Sequence, residues 1–251
     1  MREYADLITE ASTVDVSGWD FSWFTGRASE ARPGWGYQRL MAERLATASA
    51  SLDIQTGGGE VLAGASQYPP TAVATEAWPP NIIKATRLLH PRGVAVVAAA
   101  EQPPWPFADS AFDLITSRHP ATVWWDEIAR ILRPGGVYFA QHVGAESMFE
   151  LAMHFVEIRP EHRRARRADI EAERARAAGL QIVSVQSART RVEFYDIAAV
   201  VVFLRKVVWT VPGFDIVKHD AVLRTLDAQI RRDGVFVAHS TRTLIEAHRT
   251  G

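Results

Sequence analysis

Two histidines and three acids stand at the ends of apolar runs, where side chains can reach a ligand. His119 closes "FDLITSRH" and His142 lies near the end of "GVYFAQHVG". Imidazole exchanges a proton near neutral pH, so both are candidate general bases, His119 first. The alternative for each is a structural or pocket-lining role. Asp53 sits in "SLDIQTGGGE", Glu76 ends "TAVATE", and Glu101 ends "GVAVVAAAE". A carboxylate at such a place accepts hydrogen bonds from hydroxyl or amino groups. Gly57 and Gly59 let the backbone approach a ligand without a Cβ clash. Arg118, next to His119, can orient an anionic substrate or form an ordinary salt bridge. Neither histidine has a cluster of ligands nearby, so no metal site is expected. The chain has no cysteine, which removes disulfides, thiolate metal sites and a cysteine nucleophile.

These residues need a frame, and the chain from Leu52 to Val143 supplies one. Short apolar runs alternate with helical or turn segments. "SLDI", "TAVATE", "GVAVVAAAE", "FDLITSRH" and "GVYFAQHVG" read as strands. "EVLAGAS", "NIIKATRLLH" and "VWWDEIARIL" read as helices, the last stopped by "RPGG" acting as a turn. In that last helix Trp124, Ile128 and Ile131 form one apolar stripe. This alternation predicts a mostly parallel sheet with helices on both faces. Ligands of such sheets bind beyond the carboxyl ends of the strands.

Two flanks surround this core. Residues 1–50 begin with a helix and continue into an aromatic-rich stretch containing Trp19, Phe21, Trp23, Phe24, Trp35 and Tyr37. It reads either as a lid, with Trp23, Trp35 and Tyr37 against the substrate, or as a hydrophobic seal. Residues 146–251 begin with a helix and an arginine-rich helix. They continue with "QIVSV" as a strand, "YDIAAVVVFLRKVVW" as a buried helix and "FVAHSTRTLIEAH" as a last strand. Between Glu161 and Arg176 six arginines alternate with four acids. Pairing at i,i+4 along a solvated helix face accounts for them more simply than RNA binding.

At 251 residues, 47% hydrophobic and 23% charged, the chain reads as a soluble globular protein. A net charge of −1 gives no global attraction for nucleic acid or anionic membrane. No apolar stretch is long enough to span a bilayer, and the acidic N-terminus lacks a signal-peptide pattern. A cytoplasmic monomer or homodimer is expected, organised as one domain: 1–50, a core over 51–145, and 146–251.

In order and spacing, "LDIQTGGGE", Glu76, "AAEQPPWPFADSAFD" and "FDLITSRHP" with "EIARILRPGG" resemble the class I S-adenosylmethionine-dependent methyltransferases, in particular small bacterial methyltransferase-domain proteins. The resemblance covers about residues 45–145. It implies a Rossmann-like seven-stranded sheet with an N-terminal aromatic lid and a C-terminal helical insertion. It further implies that the glycine turn holds the methionine part of S-adenosylmethionine and the helix N-terminus after it seats the carboxylate. Glu76 would bond the ribose hydroxyls, Glu101 the adenine amino group and the Gln102 backbone a ring nitrogen. Asp53, Gln55, Thr56, Gly57, Gly59 and Ser117 complete the implied cofactor set. Thr116 to His119 fall where substrate-side residues sit.

The expected function is methylation of a small molecule at oxygen, nitrogen or carbon. The alternatives are a methyltransferase-like binding protein without catalysis and, third, an RNA or protein methyltransferase. A hydride-transferring Rossmann enzyme is disfavoured, because "TGGGEVLAG" does not space its glycines as G-x-G-x-x-G. Gln55 stands where the family pattern has its first glycine. A positive φ there costs about 1–2 kcal/mol, whereas a negative φ costs little. In either case cofactor binding is expected to survive, with Gln55 as its neighbour.

Overall fold

The computed structural model describes residues 2–251. In chain order its elements begin with α1 (Tyr4–Thr13), β1 (Ala28–Glu30), α2 (Tyr37–Leu45), β2 (Ala50–Ile54), β3 (Thr71–Glu76), α3 (Pro79–Leu89) and β4 (Ala95–Ala98). β5 (Phe112–Arg118), α4 (Trp125–Ile131), β6 (Leu132–Val143), α5 (Phe149–Ala152), α6 (Pro160–Arg164) and α7 (Ala168–Ala177) follow. β7 (Leu180–Phe194), α8 (Ile197–Lys206), α9 (Asp220–Asp233) and β8 (Phe236–Arg249) complete the chain. The hydrogen-bonded strand order is β1-β7-β8-β6-β5-β2-β3-β4. The sheet therefore has eight strands, not the expected seven. It is mixed: β4, β3, β2, β5 and β6 are parallel neighbours, while β6–β8 and β1–β7 pair antiparallel.

The chain forms two compact units. One takes the segments up to Arg32, Glu146–Ala165 and Arg189–Thr241; the other takes Pro33–Ala145, Arg166–Ala188 and Arg242–Gly251. In the second unit all five residues of β2 are buried, as a strand flanked on both edges and covered on both faces must be. One face packs Leu52, Ile54, Ile115, Tyr138 and Ile245 with Trp125, Ile128 and Ile131 of α4 and Ala175 of α7. The other packs Ala74, Leu114, Phe139 and Leu244 with α2 (Tyr37, Met41, Leu45) and α3 (Ala85, Leu89). α3 starts on Pro79 and Pro80, which need no N–H partner there.

In the first unit α8 is buried nearly all round, and the Asp196 carboxylate caps it by accepting the Ala199 N–H at 2.7 Å. α9 shows the amphipathic pattern instead, burying Leu223, Leu226 and Ile230 and ending on left-handed Gly234. Among the described residues no helix is long and apolar enough to cross a membrane.

Three local expectations need correction. "EVLAGAS" forms only a 3-10 turn at Leu62–Gly64. Gln38 donates to the Val61 carbonyl at 3.0 Å and crowds Gly64 so closely that a Cβ there would lie 1.7 Å from its amide nitrogen. The Val61 carbonyl also accepts the Gly64 N–H at 3.2 Å, which closes the turn. "RPGG" is not a turn between elements, because Pro134 to Gly136 lie inside β6, at a register shift opposite Phe112 and Leu114. The arginine-rich stretch breaks into α6 and α7 at Ala165–Arg167, with Arg166 left-handed at φ 60°. Its ion pairs are Arg167–Asp169, Arg174–Glu171 and Arg163–Glu146, none of them i,i+4.

Candidate functional site

The carboxyl ends of β2, β3 and β5 carry most of the residues singled out from sequence, all within the second unit. Thr116 of β5 pairs with Asp53 of β2 and donates its hydroxyl to the Asp53 carboxylate at 2.6 Å. Burial outweighs this bond and raises the Asp53 pKa to about 6. Ser117, also buried, donates to the Ile54 carbonyl at 2.8 Å.

After Ile54 the chain turns through alternating left-handed residues: Gln55 at φ 55°, Gly57 at 64° and Gly59 at 84°. Gly59 is set by packing, since a Cβ there would meet the Leu89 side chain at 2.9 Å and the Ala85 backbone at 3.4 Å. Gly57 faces the acid, donating its N–H to Glu76 Oε2 at 2.8 Å. The other Glu76 oxygen accepts from the N–H groups of Ala77 and Trp78 at 2.9 and 3.0 Å. The Thr56 N–H donates to Thr75 O at 2.9 Å, and its buried hydroxyl, with that of Thr116, bears on the Asp53 carboxylate and favours its charged form. The helix N-terminus expected to seat a carboxylate does not exist, because only the three-residue turn follows the glycines.

Gln55 is strained yet fully used. Its amide donates to Thr122 O at 3.0 Å and its carbonyl accepts the Ala121 N–H at 2.7 Å, clamping the loop after β5. Changing Gln55→Gly relieves about 1–2 kcal/mol of strain but loses two partly exposed hydrogen bonds of about 0.5–1.5 kcal/mol each. Global stability is expected to stay nearly constant while amide exchange at residues 120–123 accelerates. Unchanged exchange there would show that the clamp is idle.

Glu76 and Glu101 line one cleft together with Ile54, Gln55, Ala99, Ala100 and Trp105. It encloses only about 10 Å³, far below the roughly 300–1,000 Å³ of ligand pockets. The loop carrying Trp105 is anchored by two residues that sequence reasoning missed. Glu127 accepts the Trp105 N–H at 2.7 Å, and Arg130 donates to Phe107 O, Trp105 O and Asp109 while pairing with Glu127 at 2.6 Å. Their i,i+3 spacing on α4 was the available signal. Arg130→Met would leave buried Glu127 without its cation. The expected loss is about 2 kcal/mol, below the cost of breaking a fully buried pair because Arg130 is part-exposed. A urea midpoint equal to wild type would contradict this. Gln102 is exposed beside Glu101.

Just past the end of β5, His119 is left-handed at φ 59° and donates its N–H to Gln141 O at 2.7 Å. Trp35 Nε1–H donates to Gln141 Oε1 at 2.7 Å. Gln141 must then offer Nε2 as a donor to His119 Nε2, at 2.9 Å. His119 therefore accepts at Nε2 and carries its proton on Nδ1. Burial, then the charge of Arg118, Arg242, His142 and Arg166, hold its pKa well below the usual range. His142 is buried, with Nε2 2.9 Å from the Tyr138 hydroxyl, and burial lowers its pKa to about 3.

Trp35 and Tyr37 belong to the same unit as these residues. Tyr37 is buried, stacks on Phe139 with centroids 5.4 Å apart and donates its hydroxyl to Ser117 O at 3.0 Å, bracing the strand end from below. Trp23 falls in the other unit, packed edge-on against Phe24 with the Arg27 guanidinium over its ring. Gln141, Arg166 and Arg242 were not singled out beforehand.

Residues 52–140 match the family profile described as a methyltransferase domain. Comparison with curated proteins gives no match. Among solved structures, a Bacillus halodurans protein provisionally named a methyltransferase superposes with TM-score 0.60 at 18% identity, covering 87% of this chain and 100% of that one. The YcgJ protein of Bacillus subtilis gives 0.58 at 16% identity, with 86% and 98% covered. The [4+2]-cyclase SpnF gives 0.55 at 16% identity, with 98% and 93% covered. The fold is that of the class I methyltransferase-like proteins.

Proposed function

We propose that the protein binds S-adenosylmethionine at the carboxyl ends of β2, β3 and β5 and methylates a small molecule. The observation that carries this is the lining of one cleft: two acids, Glu76 and Glu101, beside the apolar Ile54, Ala99, Ala100 and Trp105. That pair of acceptors with an apolar floor fits an adenosine, whose ribose diol and exocyclic amine are donors flanking a flat ring. When bound, S-adenosylmethionine supplies an electrophilic methyl on its sulfonium.

The chain's own residues do the rest. Glu76 holds the diol, Glu101 the amine, and the Gly57 backbone gives up its bond to Glu76 to let the ligand in. Asp53, whose carboxyl ionises near pH 6, lies under the site held by the Thr116 and Thr56 hydroxyls. His119, with Nε2 held by Gln141, orients the acceptor through its Nδ1–H rather than taking a proton at Nε2. Trp35 and Tyr37 fix Gln141 and Ser117 in place.

A second reading, ligand binding without methyl transfer, is favoured by one observation. The Nε2 atoms of both His119 and His142 are engaged, so neither is set up as a base. Incubation with S-adenosylmethionine and a panel of small acceptors, following S-adenosylhomocysteine by mass spectrometry, separates the two. Acceptor-dependent product supports transfer. Tight cofactor binding without product across the panel favours the binder.

A further inference from the structure

The cleft lined by Glu76 and Glu101 encloses only about 10 Å³, so an adenosine enters it only when a wall moves. Two of its walls are built into the sheet. Ile54 ends β2, a fully buried strand between β3 and β5, and Gln55 after it is clamped to the loop following β5. Thr75 and Glu76 end β3, which pairs with β2 on one edge and β4 on the other. The third wall follows β4, the last strand of the sheet, and consists of Ala99, Ala100, Glu101 and Trp105.

That third wall is a bridge fixed at both ends and loose between them. At one end the Ala99 N–H donates to Glu76 O at 3.1 Å. At the other, Trp105 is buried, its N–H accepted by Glu127 at 2.7 Å and its carbonyl bonded by Arg130 at 3.3 Å. Among the described residues, 100–104 make no hydrogen bond, and all of them except half-buried Pro103 are exposed. The bridge also has open space behind it. Glu101 and Trp105 line the cleft, whereas Pro103 lines a groove of about 660 Å³ between α4 and the end of α7. Trp124, Glu127, Arg130, Ala177 and Ala178 are among the other residues of that groove. A segment with few bonds and little buried surface opens at low free energy, and here the room to open lies on the groove side.

We infer that residues 100–104 are the gate of the cleft, hinged at Ala99 and Trp105, and that a nucleoside is admitted when Pro103 and its neighbours move into the groove between α4 and α7. This rests on the proposed cofactor reading only in naming that nucleoside as S-adenosylmethionine. Glu127 and Arg130 hold the far hinge still, so the strands and the acids at their ends keep their places while the cleft widens. The structure shows the closed arrangement, and apparent affinity is lowered by the fraction of molecules that are open.

The test uses the full chain and two variants that fill the groove, Ala177→Trp and Ala178→Trp, made singly; neither residue lines the cleft. Ala177 is exposed, so its variant keeps the fold, which circular dichroism checks. Without ligand, relaxation dispersion at the Glu101 and Gln102 amides is expected to report opening on the μs–ms scale in wild type. At least one variant is expected to suppress it. In that variant S-adenosylhomocysteine binding is expected to weaken about tenfold, as the open fraction falls by that factor. No dispersion at either amide in wild type, or wild-type dispersion in both variants, overturns the inference. So does wild-type affinity in a variant whose dispersion is suppressed. A wild-type chain that does not bind S-adenosylhomocysteine, yet shows dispersion that a filled groove suppresses, would sink the cofactor reading and leave the gate standing.

Discussion

Replacing Glu76 with alanine is expected to weaken S-adenosylhomocysteine binding about 100-fold without unfolding the protein. An ionised carboxylate has about four acceptor positions, and three are taken by the N–H groups of Gly57, Ala77 and Trp78. A ribose diol brings two donors, so one backbone bond must open, and Gly57, which alone occupies its Glu76 oxygen, is the one to go. The ligand thus gains two charge-assisted bonds while one is surrendered. The net is about 2–3 kcal/mol rather than the sum of both. Removing the carboxylate also costs the caps on Ala77 and Trp78, about 1 kcal/mol of stability. A dissociation constant within about threefold of wild type would remove Glu76 from the binding site.

The second large effect is on stability and has the opposite sign to ordinary acid denaturation. Burial raises Asp53 from 3.8 to about 6, so folded Asp53 keeps a proton that the unfolded chain releases between those values. Stability from this group is full below pH 3.8, declines as pH rises, and is lost by about pH 6. The difference in pKa corresponds to up to about 3 kcal/mol. Asp53→Asn cannot ionise and still accepts the Thr116 hydroxyl. It is expected to raise the melting temperature by about 5 °C or more at pH 7.5 and to leave it unchanged near pH 4. A variant less stable than wild type at pH 7.5 would mean that the Thr116 and Thr56 hydroxyls hold ionised Asp53 strongly enough to outweigh its burial.

Much of the frame is readable in the chain. β2, β3 and β5 are apolar runs bounded by acids, glycine or proline, and α3 and α4 carry clear apolar stripes, so local pattern suffices for them. The acids at the strand ends were legible for the same reason, since strand ends are where such sheets bind ligands. The turn after the glycines was not. Its helical pattern is overridden by Gln38, which lies far back in sequence, and no local signal reports that contact. The eighth strand also depends on long-range pairing, of Ala28–Glu30 with Val192–Phe194. Gln55 was visible as an oddity, but whether its φ was positive, and that its amide grips Ala121 and Thr122, depends on how β2 and β5 pair.

The central claim is that the cleft beside Glu76 holds S-adenosylmethionine or its product, and calorimetric titration of S-adenosylhomocysteine into the full chain tests it most directly. The predicted result is one saturable site per chain with micromolar affinity, lost in Glu76→Ala. No heat and no thermal stabilisation at millimolar ligand, in a protein that is folded by circular dichroism, would contradict it.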